Sequence, residues 1–242
     1  TAFRADSHDD ILFVAAPTAA QFGYFKNVTL TRREGVEFGA NTGNSRWQLA
    51  AHYSRVDATY QSEELLTGTA NSSNSTNATG NGAGLAGNIR VRPGDRIPLV
   101  PRDQLKLSAV YTATPDLTIN ATLQGIGSAY ARGNDNNQNQ ADGLTYLGSG
   151  KSPGYAVLNL GGQYRLGQGS RLLMQMSNLF NRHYSTAAQL GPTAFTASGN
   201  FIARPFPAVG GNFPVQQAAF YAPGAPRSIW IAYRHEFADG PQ

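Results

Sequence analysis

The sequence has no cysteine, few charges and no long apolar run, and each shortage narrows what it can be. Without cysteine, its 242 residues can form neither a disulfide framework nor a thiolate metal site. Asp, Glu, Lys and Arg make up only 14% of the chain, well under the roughly 25% of ordinary soluble domains. Gly, Asn, Ser and Thr fill the gap. The longest apolar run, Ile11 to Ala16, is far shorter than the ~20 residues of a membrane-spanning helix. A net charge of +4 comes from scattered basic residues, which speaks against a nucleic-acid partner. The chain begins at Thr1 with neither a start Met nor a signal-peptide pattern, as expected of a processed product or a piece of something longer.

What is abundant is alternation with period two. In Trp47 to Ser54 the odd positions are apolar and most even ones polar. Leu105, Leu107, Ala109 and Tyr111 alternate with Lys106 and Ser108; Leu117, Ile119, Ala121 and Leu123 with Thr118, Asn120 and Thr122. The same holds from Leu158 to Leu166 and from Ser228 to Phe237. Such strands have one apolar and one polar face. Eight strands are expected, at about 1–9, 23–42, 46–62, 103–113, 117–132, 152–166, 170–186 and 226–237, the second bulged around Thr31 to Gly35. Most exceed the usual five or six residues and suit a tilted bilayer span of ~9–11.

The connections alternate too. Thr42 to Ser45, Thr112 to Asp116 and Gly167 to Gly169 read as tight turns, and the connections between them are long. Long loops are rare in compact soluble domains. Short turns at one end and long loops at the other are the mark of an outer-membrane β-barrel. Tyr53, Tyr60, Tyr111, Tyr130, Tyr155, Tyr164, Tyr184 and Tyr233 fall near strand ends or on apolar faces, where a membrane interface would bury the ring and wet the hydroxyl.

Little in the sequence argues for catalysis or a cofactor. Gly82 to Gly87 spells G-x-G-x-x-G, but no strand precedes it and no helix follows to meet a pyrophosphate. Gly150-Lys151-Ser152 imitates the end of a phosphate loop, with Thr145 where the first Gly belongs and Pro153 blocking the backbone. His8, His52, His183 and His235 lack ligand spacing, and His8-Asp9-Asp10 reads as a solvated strand end. An outer-membrane esterase or protease would need a nucleophile–base pair on neighbouring strands near the outer rim, where His183 is the only histidine and the adjacent Ser185 is expected to point away from it. The candidates for binding are loop residues: Arg90, Arg92 and Arg96 in the second long connection, Tyr130 and Arg132 at the lip of the third, Arg204 in the last. Arginine beside Tyr and Asn suits an anionic or catecholate-bearing ligand, through forked hydrogen bonds and stacking. Lipopolysaccharide phosphates and plain solubility are the competing uses.

Three motifs carry a family resemblance. Asn178-Leu179-Phe180-Asn181, followed by Tyr184, resembles the N-L-F-[ND]-x-x-Y signature near the C-terminus of TonB-dependent outer-membrane receptors. Tyr24-Phe25-Lys26-Asn27 with Thr31-Arg32-Arg33-Glu34-Gly35-Val36-Glu37 resembles a strand pair of the same family, and Pro226-Arg227 resembles the start of its last strand. The match is nearest to receptors for ferric siderophores or ferric citrate.

The resemblance implies an all-β fold: a transmembrane antiparallel β-barrel segment of about eight long strands, with short periplasmic turns and long extracellular loops. Residues 1–242 would be the C-terminal part of the barrel, with the plug domain and earlier strands outside it. It also implies a Gram-negative outer-membrane location amid lipid and lipopolysaccharide. The function implied is uptake of a ferric chelate, energised by TonB with ExbB and ExbD through the plug, with no cofactor and no enzymatic step. In this picture Tyr24, Phe25, Asn27, Arg32, Gly35 and Glu37 form the upstream motif. Asn178, Leu179 and Asn181 loosen the ladder at a strand end, Phe180 and Tyr184 anchor the interface, and Phe237 is the terminal aromatic that barrel-assembly machinery reads. The rival reading is a self-contained eight-stranded barrel with an anchoring or adhesive role. Its lumen would be filled by interlocking side chains, whereas the polar face here is small and hydrophilic.

Overall fold

The computed structural model of the chain describes residues 1–15, 23–68, 70–76, 87–143, 145–167, 169–195, 198–201 and 216–237. Eight long strands form one antiparallel sheet: β1 (Ala2–Ala15), β2 (Gly23–Gly43), β3 (Trp47–Tyr60), β4 (Asp103–Thr114), β5 (Leu117–Ile126), β6 (Tyr155–Gly167), β7 (Ser170–Ser177) and β8 (Ser228–His235). Each pairs with its neighbour in sequence, from β1 at one edge to β8 at the other. No pairing joins β1 to β8 among the described residues. The tight turns β2–β3, β4–β5 and β6–β7 lie at one end, and the long connections lie at the other.

Register explains why alternation produced this wall. Phe38 faces Tyr53, Tyr53 faces Leu105, and Leu107 faces both Ala51 and Leu123. Further along, Leu123 faces Leu158, Leu160 faces Met176, and Met176 faces Ile229. Most apolar positions therefore fall on one face, which is largely exposed as a lipid-facing surface must be, with Val110, Leu173 and Trp230 on the other. A slip of one residue would turn the whole stripe inward. Trp47, stacked on Tyr111 at 4.3 Å between ring centres, joins Tyr164 and Tyr233 in an aromatic row at the turn end. At the far end of the stripe the same face becomes charged: Arg32 pairs with Asp6 at 2.6 Å, Arg55 with Asp103 at 3.4 Å, and Arg102 with Asp57. Tyr53 donates to Asp103 at 2.7 Å, at that boundary.

Several elements differ from the sequence expectation, in β1 and β7 for a local reason. β1 runs on to Ala15 rather than ending near residue 9. The expected bulge at Thr31 to Gly35 is absent, since β2 keeps an unbroken register with both neighbours there. The irregularity lies instead at Asp9, whose φ is 53°. Asp6 bonds Arg32, but Asp10, of the same parity, bonds Thr31 and Arg33 on the opposite face. One left-handed residue, which Asp tolerates better than most, has inverted the alternation. Leu12 and Val14 thereby pack with Val28, Ala58, Tyr60, Leu66, Ile89, Val91 and Ile97 in a small core at the loop end.

β7 stops at Ser177, not near 186, and β5 stops at Ile126, not near 132. Asn178 and Asn181 both have φ of 49°. The Asn178 amide donates to the Arg182 and Ala225 carbonyls, and its Oδ1 accepts from the Arg182 amide at 2.8 Å. Asn181 Oδ1 accepts from the Arg227 amide. Tyr184 packs against Tyr155 with ring centres 4.4 Å apart and fills the space above Gly224 that a Cβ there would enter at 2.2 Å. The asparagine motif is a corner that ends β7 and pins the approach to β8. Phe180 beside it is 76% exposed.

Candidate functional site

The described parts of the three longest connections build a cap on the open end of the wall. Glu64–Thr67 and Gly87–Val91 pair as a ladder, with Ser75–Thr76 on its other side. Leu66, Ile89 and Val91 turn into the small core while Leu65 stays exposed. Glu64 ties the ladder to β2: its carboxylate accepts from Lys26 at 2.9 Å and from the Thr29 amide and hydroxyl. Burial opposes ionisation of Glu64, but these donors outweigh it and hold its pKa below the ordinary value. Ser185–Thr193, Gln216–Pro223 and Tyr146–Leu147 form a second ladder, and Ala129–Tyr130 pairs with Lys151–Ser152.

What joins these pieces is a knot of asparagines. Asn71 is fully buried and donates to the Gly133 carbonyl at 3.0 Å and to the side-chain oxygens of Asn134 and Asn136. Asn134 donates to the Gly150 carbonyl and accepts from the Asn139 amide. The Asn139 side chain accepts in turn from the Ser72 amide. Each amide side chain offers donors and an acceptor, so a cluster of them substitutes for a backbone ladder between irregular loops. Beneath the knot, Tyr60 at the end of β3 donates to Asp135 at 2.9 Å. Burial raises the pKa of Asp135, and that of Tyr60 is raised by burial and by the Asp135 charge. Tyr60 is thus a buried clasp between wall and cap, not an interfacial aromatic.

The expected binding residues divide. Arg96 and Tyr130 meet, the Arg96 guanidinium lying 5.5 Å from the Tyr130 ring centre. On the same ring sits Lys151, its Nζ at 4.4 Å. Lys151 stands directly across from Tyr130 in the ladder. Arg132, one alternation further along, lies 4.9 Å over the Phe13 ring, which packs edge-on against Phe25 at 5.5 Å. Burial, together with nearby Arg102, lowers the pKa of Arg96. Among the described residues no carboxylate forms an ion pair with Arg96, Arg132 or Lys151. Arg90, by contrast, pairs with Glu63 at 3.6 Å on the rim, and Arg92 is exposed. Arg204 lies outside the described residues.

The site is also held in place. The Arg96 amide donates to Asn137 Oδ1 at 2.7 Å while Asn137 Nδ2 returns a bond to the Arg96 carbonyl. Arg132 is fixed by backbone bonds with Ala188 and Leu190, and Ala131 by one to Gly150. Sequence reasoning missed Lys151, Phe13 and the Tyr60–Asp135 pair. Lys151 was readable only as part of a phosphate loop; its alternation toward Tyr130 depends on a ladder of two residues. His8-Asp9-Asp10 offers no cation site, because Asp10 is already committed to Thr31 and Arg33. No metal-binding group of His, Cys, Asp and Glu occurs among the described residues.

An antiparallel meander with an apolar outer face, a polar inner face and loops gathered at one end is the wall of an outer-membrane β-barrel. The sequence model of the TonB dependent receptor-like β-barrel matches residues 1–179, and the chain belongs to that family, whose members are receptors and transporters rather than enzymes. No curated protein matches the chain significantly. Among solved structures, the ferric-catecholate import receptor Fiu of Escherichia coli K12 is similar at 18% identity and a TM-score of 0.54, over 97% of this chain and 24% of that one. The siderophore receptor PiuA of Acinetobacter baumannii is similar at 16% identity and a TM-score of 0.56, over 96% and 25%. The copper transporter OprC is similar at 17% identity and a TM-score of 0.56, over 98% and 28%. The chain thus spans about a quarter of the length of these receptors, and at such identities the likeness is one of fold.

Proposed function

We propose that the chain is the C-terminal section of a receptor that takes up a ferric chelate, a siderophore or ferric citrate, under TonB energisation through a plug outside this chain. The observation that carries the ligand class is the Tyr130 ring held between Arg96 and Lys151 at the loop end. Two cations against one aromatic ring, neither in an ion pair with a carboxylate among the described residues, suit a ligand that combines negative charge with flat rings or clustered carboxylates. Arg132 over Phe13 extends the same chemistry. OprC shares the fold and handles copper, so the fold alone does not select iron. Here both methionines, soft ligands for copper, sit on the lipid face of β7 at Met174 and Met176.

The rival, a self-contained barrel, finds less support. β1 and β8 stay unpaired with each other, and the inner face carries Asn120, Gln124 and Gln163 exposed to water rather than an interlocked filling. Equilibrium dialysis of the full chain in detergent micelles against ferric tris-catecholate and ferric citrate tests the ligand class. Saturable binding, weakened at least about tenfold by Arg96→Ala with Lys151→Ala, is expected from the loss of two charge contacts. Binding that the double variant leaves unchanged, or no saturable binding of either chelate, overturns it.

A further inference from the structure

The lipid face of β3 to β5 is not evenly filled. Ala51 stands across from Leu107, and Ala109 stands between Leu49 and Ala121. These short side chains, set among Leu49, Leu107 and Leu123, leave a depression of about 400 Å³. It lies on the outward face, between the Trp47–Tyr111 stack at the turn end and the charged boundary at Tyr53. Water is excluded at that depth, so hydrocarbon must fill the space. Inside a bilayer, close packing rather than the hydrophobic effect decides which apolar groups stay together. A recess of this size therefore gives a fitted chain more contacts than a filled surface would.

The turn at the foot of the recess is polar and preformed. Thr42 lines the recess at its turn end, across from Leu49, so a hydroxyl borders the hydrocarbon there. Asn44 Oδ1 accepts from the Arg46 amide at 2.9 Å and from the Trp47 amide at 2.8 Å. The Arg46 carbonyl accepts from the Thr112 amide at 2.8 Å. Arg46 is exposed and forms no ion pair among the described residues. The neighbouring tight turn carries Asp116 instead. An unneutralised positive charge thus stands beside the aromatic row, at the level where lipid headgroups lie.

We infer that this part of the wall seats one anionic phospholipid of the periplasmic leaflet. Its headgroup meets Arg46, its ester region lies against Trp47, Tyr111 and Thr42, and one acyl chain occupies the alanine recess. The leaflet follows from the geometry, since the recess ends at Thr42 beside a short turn and the short turns are periplasmic. At the opposite boundary of the same face, Arg32, Arg55 and Arg102 are already paired with Asp6, Asp103 and Asp57. A charge for the headgroup together with a fitted place for the chain distinguishes a seat from the ordinary annulus of lipid.

Trp47 reports on the site directly. In the full chain with Trp230→Phe it is the one tryptophan left of two. That chain is refolded into phosphatidylcholine vesicles, and its emission is followed as phosphatidylglycerol or phosphatidylcholine with brominated chains is added. Bromine quenches tryptophan only at contact. Phosphatidylglycerol should be preferred about fivefold, the worth of one cation at a bilayer surface. Arg46→Gln, an exposed change that keeps the turn's backbone bonds, should bring the ratio to about one. Ala109→Leu with Ala121→Leu fills the recess and should lower the ratio too, although Arg46 is intact. No preference in the Trp230→Phe chain, or a preference that Arg46→Gln leaves unchanged, overturns the inference. A preference that survives filling the recess also overturns it, reducing the seat to surface charge alone. Trp47 shielded from both lipids, in a chain that cross-links as a dimer, would mean that a second copy covers the face. Mass spectrometry of the chain released from micelles containing phosphatidylglycerol gives a second reading. One retained lipid is expected, lost in Arg46→Gln, and retention of none contradicts the seat.

Discussion

In the wall, polar side chains such as Asn120, Gln124 and Gln163 face the lumen and stay in water; in the cap, Asn71, Asn134, Asn136 and Asn139 are buried. The wall needs its polar residues only to be compatible with water, and its order comes from backbone ladders and an apolar face turned to lipid. The cap has few regular ladders, and its amide side chains supply the missing bonds. The same residue type is therefore nearly neutral in one region and structural in the other. The proposed binding residues depend on the second use, since Arg96 is held by Asn137 and the segment carrying Tyr130 and Lys151 is tied to the knot through Gly150.

The sharpest way to break this comparison is to put a charge on each face of the wall. Leu107→Arg, on the lipid side between Ala51 and Leu123, should cost about 2–4 kcal/mol near the bilayer midplane, and Thr122→Arg, facing the lumen, within about 0.5 kcal/mol. Denaturant titration of the chain refolded into lipid vesicles measures both, and equal costs would mean the faces are misassigned. Next in size is the clasp. Tyr60→Phe leaves the Asp135 carboxylate buried without its side-chain donor and should cost about 1.5–3 kcal/mol, read as faster proteolysis within 127–154 while the wall stays protected.

A smaller effect follows from the charge on Asp135. Burial raises its pKa above the ordinary 3.8, so the folded cap holds that proton more tightly than the unfolded chain does. The stability linked to this group is complete below the ordinary value and is lost as the pH rises through the raised one. Asp135→Asn removes the titration, so its advantage over the natural residue should grow with pH and vanish in acid. Melting temperatures from pH 3 upward, on the order of one-unit steps, would expose the trend, and a pH-independent difference would refute the assignment. Smallest of all, Arg90→Ala breaks only an exposed rim pair with Glu63 and should leave melting unchanged within about 0.5 kcal/mol.

How legible these regions were differs in the same way. The wall was readable because Trp47 to Tyr53, Leu105 to Tyr111 and Leu117 to Leu123 each specify a face locally, and faces fix register. Its errors fell where one residue changes backbone conformation: Asp9 inverting β1, and Asn178 ending β7. In the cap, Arg96, Tyr130 and Arg132 stood out as cations and an aromatic in loops. The bonds that bring Arg96 onto Tyr130 run through Asn137, 41 residues from Arg96, and no local pattern encodes such a partner. The run Gly133 to Gln140 reads as a flexible polar loop for the same reason. It resembles a disordered tract in composition, yet most of it is buried.

Hydrogen exchange of the backbone amides in the ligand-free chain tests the central claim that the asparagine knot holds the site ready-made. The amides of Arg96, Ala131, Arg132 and Asn139 all donate to cap partners. They should exchange on the order of a hundredfold more slowly than exposed loop amides. Exchange at the free-loop rate, slowing only when a ferric chelate is added, would mean that the ligand assembles the cap and would contradict the account.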